Sequence, residues 1–303
     1  MQFAICNSEG MAIVLILMVL AIIIAMVAEF SYGVYTSTNA LYNWQTSQRL
    51  SLVAKSVVKL ASKTITENTS SYTYPGFLVI SYKNPSEDFN GTVSLRIEDE
   101  NSKFNVNSLI YKNGLLNAEA YNSFVRLLKV LGLNPHIADR IVDWIDPDGE
   151  PRLQDSENTS KNALLDSIDE MLVIPGIERA SYEKLSPYVT IYSKLYGTTI
   201  YGSEININGA ETPVLMSLSD SIDKEMAERI VKYRESLPFE KVQDIKKVAG
   251  FETIMSSLMG RITVKGTAFR VISTATEGNI KRVIESVLDL SDGNPVVKYW
   301  KET

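Results

Sequence analysis

Eighteen consecutive apolar residues, Met11 to Ala28 (MAIVLILMVLAIIIAMVA), contain no charge, glycine or proline. At 1.5 Å per residue a helix of that length spans roughly 27 Å, the thickness of a bilayer core. A cleaved secretory signal has a basic start, a shorter apolar core and small residues at a site behind it. Here the run is longer and is followed by Glu29-Phe30-Ser31-Tyr32. A core helix of a water-soluble protein is seldom apolar on every face. The run therefore reads as a membrane helix over residues 11–29.

The helix is expected to continue beyond the bilayer. From Phe30 to about Glu67 there is no proline and only Gly33, and Leu50, Val53, Ala54, Val57, Val58, Leu60 and Ala61 recur at helical spacing. That stripe is expected to pack on a domain. Strand-like runs follow at Phe77–Tyr82 and, with period two, at Thr92–Glu98. Near the far end Ala268–Thr276 and Ile280–Leu288 flank Glu277-Gly278-Asn279 and read as a hairpin. The fold class expected is α+β: a long N-terminal helix with an antiparallel sheet, interrupted by a large all-α insertion.

The insertion carries an internal echo. Phe104-Asn105-Val106-Asn107 matches Ile205-Asn206-Ile207-Asn208, Ala138-Asp139-Arg140-Ile141-Val142 matches Ala227-Glu228-Arg229-Ile230-Val231, and Ile174-Pro175-Gly176-Ile177-Glu178 matches Val248-Ala249-Gly250-Phe251-Glu252. Matches in one order mark two degenerate repeats, placed at 105–192 and 205–265. Each reads as helices joined by a tight glycine turn, similar to sterile-alpha-motif or helix-hairpin-helix modules. The latter raises DNA binding as the alternative function, because their turn presents backbone N–H groups to a phosphate. Glu178 and Glu252 stand where such turns need a second glycine, and a carboxylate there repels phosphate.

The remaining chemistry is sparse. Net charge is −6, which opposes a nucleic-acid coat. Cys6 is the only cysteine and His136 the only histidine, which removes disulfides and most thiolate, triad and zinc chemistry. His136 reads as a surface or capping residue, Asp166 with Asp169-Glu170 as helix-cap and first-turn acids, and Trp144 and Trp300 as packing or interface residues. No enzymatic constellation is present in the sequence. The acidic loop Asp143-Trp144-Ile145-Asp146-Pro147-Asp148-Gly149-Glu150-Pro151, with Asp155 and Glu157 after it, reads either as a solvated turn or as a calcium loop. It lacks the spacing of an EF-hand.

The apolar run begins directly after Glu9-Gly10, behind a short polar leader. This resembles the class III signal of type IV pilins and type II secretion pseudopilins. The resemblance implies cleavage by a prepilin peptidase between Gly10 and Met11, leaving residues 1–10 as leader and Met11 as an N-methylated terminus. The leader has no Lys or Arg, and Leu15 stands where most pilins carry a glutamate, which suits a subunit with no neighbour above it.

Across the whole chain the order of motifs resembles the K-type minor pseudopilins of the type II secretion system. It runs from Arg96-Ile97-Glu98-Asp99-Glu100 and Lys103-Phe104-Asn105-Val106-Asn107 to Asp143-Trp144-Ile145-Asp146-Pro147-Asp148-Gly149. Leu165-Asp166-Ser167-Ile168-Asp169-Glu170, Pro175-Gly176-Ile177, Tyr188-Val189-Thr190, Ile205-Asn206-Ile207-Asn208 and Pro238-Phe239 follow. The resemblance implies a pilin-like body at 30–104 and 266–303, with the insertion at 105–265. It implies a structural role at the tip of a periplasmic pseudopilus, with I-type and J-type minor pseudopilins, the peptidase and the inner-membrane secretion platform as partners, and no nucleic acid. The location implied is the bacterial inner membrane, single-pass, with the bulk periplasmic. Calcium in the insertion is also implied, with Asp146, Asp148, Glu150, Asp155 and Glu157 at the matching positions. Gln154-Asp155-Ser156-Glu157 replaces the Gly-Ala-Glu-Asp stretch frequent in that family.

Overall fold

The computed structural model describes residues 8–67, 70–73, 82–83, 91–154, 156, 160–192, 195–196, 200–201, 204–291 and 293–303. Helix α1 (Ser8–Glu67) is followed by strands β1 (Tyr82–Lys83) and β2 (Thr92–Asp99). A helical region then holds β3 (Phe104–Asn105), α2 (Ala118–Val130), α3 (His136–Ile145), α4 (Arg179–Leu185), β4 (Val189–Thr190), β5 (Leu195–Tyr196) and β6 (Ile200–Tyr201). It continues through β7 (Ile205–Asn206), α5 (Thr212–Ser217), α6 (Lys224–Ser236), α7 (Met255–Leu258) and β8 (Ile262–Thr263). The chain returns as β9 (Ala268–Glu277), β10 (Ile280–Asp289) and β11 (Val296–Glu302).

The strands form a five-stranded antiparallel sheet in the order β1-β2-β9-β10-β11. The architecture is α+β, as its sequence patterns require. The expected hairpin is β9–β10, closing at Glu277 opposite Ile280. Gly278 has φ +56° at the first turn position, which a type II′ turn reserves for glycine. Residues 77–81 of the expected first strand lie outside the described residues, and Tyr82–Lys83 pair with Thr92–Val93. β2 and β9 are neighbours, with Asp99 opposite Phe269. The helical region thus leaves and re-enters the sheet at paired positions.

Only the last third of α1 faces the sheet. Leu50, Ala54, Val58 and Ala61 are buried against Val93, Leu95, Val271, Ala275, Ile284 and Leu288, with Val53 and Val57 half-buried at the margin. Leu60, read from its spacing as part of the stripe, is exposed instead. It lies nearly a third of a turn off the line through Leu50, Ala54 and Val58. Arg49 pairs with Glu277 at 2.6 Å and Lys55 with Glu302 at 3.1 Å, fixing the rotation of the helix on the sheet.

The helical region has its own core, centred on Phe124, Leu127, Leu128, Ile141, Phe239 and Phe251. The echoed motifs occupy equivalent places. β3 pairs in parallel with β4, and β7 in parallel with β8. Asn107 Nδ2 donates to the Leu165 carbonyl at 3.0 Å and its Oδ1 accepts the Leu165 N–H at 3.0 Å. Asn208 makes the same pair of bonds with Phe239, at 2.9 and 2.8 Å. In each unit the buried amide satisfies the backbone donor and acceptor of a residue, Leu165 or Phe239, that lies outside any helix or strand.

Local signals explain the helix ends. Asn117 caps α2 through Ala120 N–H, and Gly132, at φ +62°, ends it. Asp166 does not cap the segment after it. Ser167 does so, in a capping box with Glu170, while Asp166 pairs with Lys161 at 2.7 Å.

Candidate functional site: exposed helix, acidic loop and polar junction

Among the described residues one helix is long and apolar enough to cross a bilayer, and none of its apolar window is buried in the protein. Exposure does not end with that window. Phe30, Tyr32, Tyr35, Leu41, Tyr42 and Trp44 are also exposed, and the first buried side chain of α1 is Thr46. An apolar helical surface of this extent calls for lipid or a partner chain. Gly10 and Met11 lie in the first turns of α1, both exposed.

The acidic loop leaves α3 at Ile145. Asp143 is fully buried and Asp146 nearly so. Asp143 Oδ2 accepts the Arg152 N–H at 2.9 Å and the Ser156 hydroxyl, while its Oδ1 faces Arg152 Nε at 3.4 Å. Arg152 also reaches Asp146 at 3.7 Å. Asp148 and Glu150 are exposed, and Asp148 Oδ1 accepts the Glu150 N–H at 2.9 Å. Asp155 and Glu157 lie outside the described residues. Among the described residues no three side chains of metal-binding type gather. Asp143, omitted from the candidate ligands, is the most buried carboxylate of the loop; its place after Ile141-Val142 on the inward face of α3 is the signal that marks it. The donors are all oxygens, the set a hard cation takes, and Arg152 supplies positive charge to the two buried ones.

His136 begins α3, exposed, with Nδ1 3.0 Å from Asp139. Trp144 is half-buried against the helical core, whereas Trp300 stands exposed on the edge strand β11. At the glycine turns, Gly176 and Gly250 have φ +84° and +95°. Arg140 covers the first and donates to the Pro175 carbonyl at 2.8 Å. In the second, the Gly250 N–H donates to Glu252 Oε2 at 3.1 Å. A carboxylate of the chain itself thus occupies the donor that a phosphate would use.

Where β2 ends, four consecutive polar residues, Asp99 to Ser102, are buried. Glu100 is fully buried and pairs with Lys103 at 2.9 Å and Arg270 at 2.7 Å, and accepts the Thr190 hydroxyl. Arg270 also pairs with Glu285 and lies 6.0 Å from the ring centres of Tyr192 and Tyr299. Burial alone would push the Glu100 carboxyl up, but Lys103 and Arg270 outweigh it and hold it below the usual value. Asp99 accepts from Asn206 Nδ2 at 2.6 Å, Asn101 N–H at 2.8 Å and Thr73 Oγ1 at 3.2 Å. Burial pushes its carboxyl up to about 6 against these hydrogen bonds. The sequence showed this run as a motif; its burial depends on contacts with residues a hundred and more positions away.

Two family models match the chain, both described as type II secretion system protein K, over residues 102–194 and 205–265. Among curated relatives, the type II secretion system protein K of Pseudomonas aeruginosa is 29% identical over 218 residues, 66% of this chain and 62% of that protein. That of Dickeya chrysanthemi is 31% identical over 125 residues, 37% of this chain and 34% of that protein. The putative protein K of Escherichia coli K12 is 25% identical over 206 residues, 61% of this chain and 63% of that protein. The matched stretches therefore span less than two thirds of those relatives. In fold the chain is similar to a protein in the crystal structure of the GspK-GspI-GspJ complex from the enterotoxigenic Escherichia coli type 2 secretion system. The TM-score is 0.66 at 19% identity, covering 88% of this chain and 99% of that one.

Proposed function

The chain belongs to the type II secretion system protein K family, and from that premise we propose that it is a minor pseudopilin at the tip of the periplasmic pseudopilus. Its role is structural: with I-type and J-type minor pseudopilins it initiates filament assembly and limits filament length during protein export. The observation that carries this reading is α1, apolar and uncovered along its first half and seated on the sheet only from Thr46 onward. Such a helix anchors in the inner membrane and offers its free face to other subunits, while the helical region between β2 and β9 gives the subunit its bulk. Prepilin peptidase cleaves between Gly10 and Met11, and Met11 becomes the methylated terminus; the secretion platform then receives the membrane helix. Leu15 places no carboxylate in the bilayer, where one needs a partner, and this supports the tip position.

Purifying the full-length chain together with I-type and J-type subunits tests the reading. A stable three-subunit complex that ignores duplex DNA at low salt is expected. Salt-sensitive DNA binding without any subunit contact would replace it with a DNA receptor. The net charge of −6 and the Glu252 carboxylate on Gly250 N–H both oppose that outcome. Mass spectrometry of the mature N-terminus checks the cleavage separately.

The acidic loop is the proposed calcium site. Asp146, Asp148 and Glu150, with Asp155 and Glu157, would hold the ion, which would supply charge to a loop otherwise fixed by Arg152. At about a hundred times its dissociation constant, calcium raises stability by roughly 3 kcal/mol. The melting temperature is expected to rise accordingly over that in chelator, and the double variant Asp148→Asn with Glu150→Gln to lose the rise. An unchanged melting temperature in the native chain would leave the loop as a turn only.

A further inference from the structure

The polar junction joins three separate stretches of chain. Glu100 takes Thr190 from the end of the first helical unit. Asp99 takes Asn206 from the start of the second, and Thr73 from the segment after α1. Asn101 Oδ1 accepts the Thr267 and Ala268 N–H groups, at 2.8 and 3.0 Å, where the chain re-enters the sheet. Asp99 differs from Glu100 in one respect. Its three partners are neutral donors, and among the described residues no ion pair reaches it. Thr73 Oγ1 in turn accepts from Asn206 Nδ2 at 2.8 Å and from the Gly266 N–H at 2.7 Å. Gly266 sits so close that a Cβ there would collide with the Asp99 carboxyl.

We propose that Asp99, with Asn206, Thr73 and Gly266, forms a proton-linked latch that holds the helical region to the sheet more tightly in mildly acidic than in neutral solution. The argument begins with geometry. Asp99 is only 3% exposed in the closed junction, and a separation of β7 from the end of β2 would bring water to its carboxyl. β7 presents Asn206, the segment after α1 presents Thr73, and the return turn presents backbone, with Lys265 directed to the Ser70 carbonyl. The charged neighbours are Glu100 on the same strand end and, bound to it, Lys103 and Arg270, and the cleft that Asp99 borders is also lined by Arg96 and Glu98 of β2 and by Glu211, Arg234 and Glu235 of the helical region.

In the closed state burial raises the Asp99 carboxyl from 3.8 to about 6, while an opened, hydrated carboxyl keeps the lower value. Between those values the closed form binds a proton that the open form does not. The closed-to-open ratio therefore grows as pH falls through 6 and levels off near 4, by about 100-fold in all. Glu100 sets the acid limit with the opposite sign. Its carboxyl is held low, so its contribution is lost only on acidification below its ordinary value of 4.5.

Hydrogen exchange of the full-length chain in detergent micelles tests the latch. The reporters are the amides of Gly266 and Asn208, corrected for their intrinsic rates. Their protection is expected to fall about tenfold in all from pH 4.5 to 6, by about twofold more from 6 to 7, and to stay flat above 7, while core amides of α2 show no break. In Asp99→Asn the break disappears. Should that variant fail to fold, Thr73→Val removes a bond that favours the charged form, and the break at Asn208 moves to higher pH. A flat profile across pH 6 in the native chain, a break that persists in Asp99→Asn, or one that stays in place in Thr73→Val overturns the proposal.

Discussion

Replacing Glu100 by alanine is expected to lower the stability of the folded chain by about 3–5 kcal/mol, read from urea or thermal unfolding in detergent. The carboxylate is fully buried between Lys103 and Arg270 and accepts the Thr190 hydroxyl. Without it Lys103 keeps only Glu98, at 3.4 Å, and Thr190 loses its acceptor. Glu285 remains for Arg270, and the rings of Tyr192 and Tyr299 offer weaker compensation. Glu100→Gln keeps the shape and one acceptor and is expected to fall between. The same substitution carries a pH signature. A carboxyl held low stabilises above its unfolded value and loses that effect on acidification, so Glu100→Ala flattens the loss of stability below about pH 4.5. A loss under about 1 kcal/mol would show that Glu285 and the tyrosines suffice.

The second large effect is expected at Asn107 and Asn208. Each amide closes two hydrogen bonds to one residue of the backbone, Leu165 and Phe239 respectively, inside the helical core. Alanine leaves a buried N–H and a buried carbonyl unpaired, at about 1–3 kcal/mol for each group. Asn107→Ala and Asn208→Ala should therefore each cost about 2–5 kcal/mol, with similar slopes of unfolding against denaturant. Because the two sites occupy equivalent places in the two units, unequal losses would show that one unit depends on its partner for stability. Equal losses that add in the double variant would mark them as independent.

Those asparagines also show how far the sequence could be read. Phe-Asn-Val-Asn and Ile-Asn-Ile-Asn stood out as an echo because the spacing of polar and apolar residues is a local property. The apolar run, the hairpin around Gly278 and the helical stripe were legible for the same reason. Leu60 satisfies the spacing yet is exposed, because a spacing rule tolerates i+3 and i+4 alike while the sheet accepts only one line of side chains. Asp166 and Ser167 both suit a cap, and only the backbone geometry chooses Ser167. Asp99, Glu100 and Asn101 were visible as a string of letters. Their partners, Asn206, Arg270 and Thr267, lie far along the chain, so burial and charge pairing emerged only with the fold. In the acidic loop the exposed Asp148 and Glu150 lie in a turn signature, whereas buried Asp143 sits inside an amphipathic helical pattern, which does not single out a carboxylate. The two family models fall on residues 102–194 and 205–265, where the Asn107 and Asn208 motifs lie.

Helix α1 is 60 residues long, and the sheet grips it only along its last third, on one side. Mechanically this is an eccentric mount. A thrust along the rod passes beside the centre of the globular part instead of through it, and becomes a tilting moment. Arg49–Glu277 and Lys55–Glu302 stand like two bolts along the seat and resist that tilt. Without a proline between Met11 and Glu67 the rod has no built-in joint. Displacement at its membrane end would therefore arrive at the sheet as rotation of the whole head.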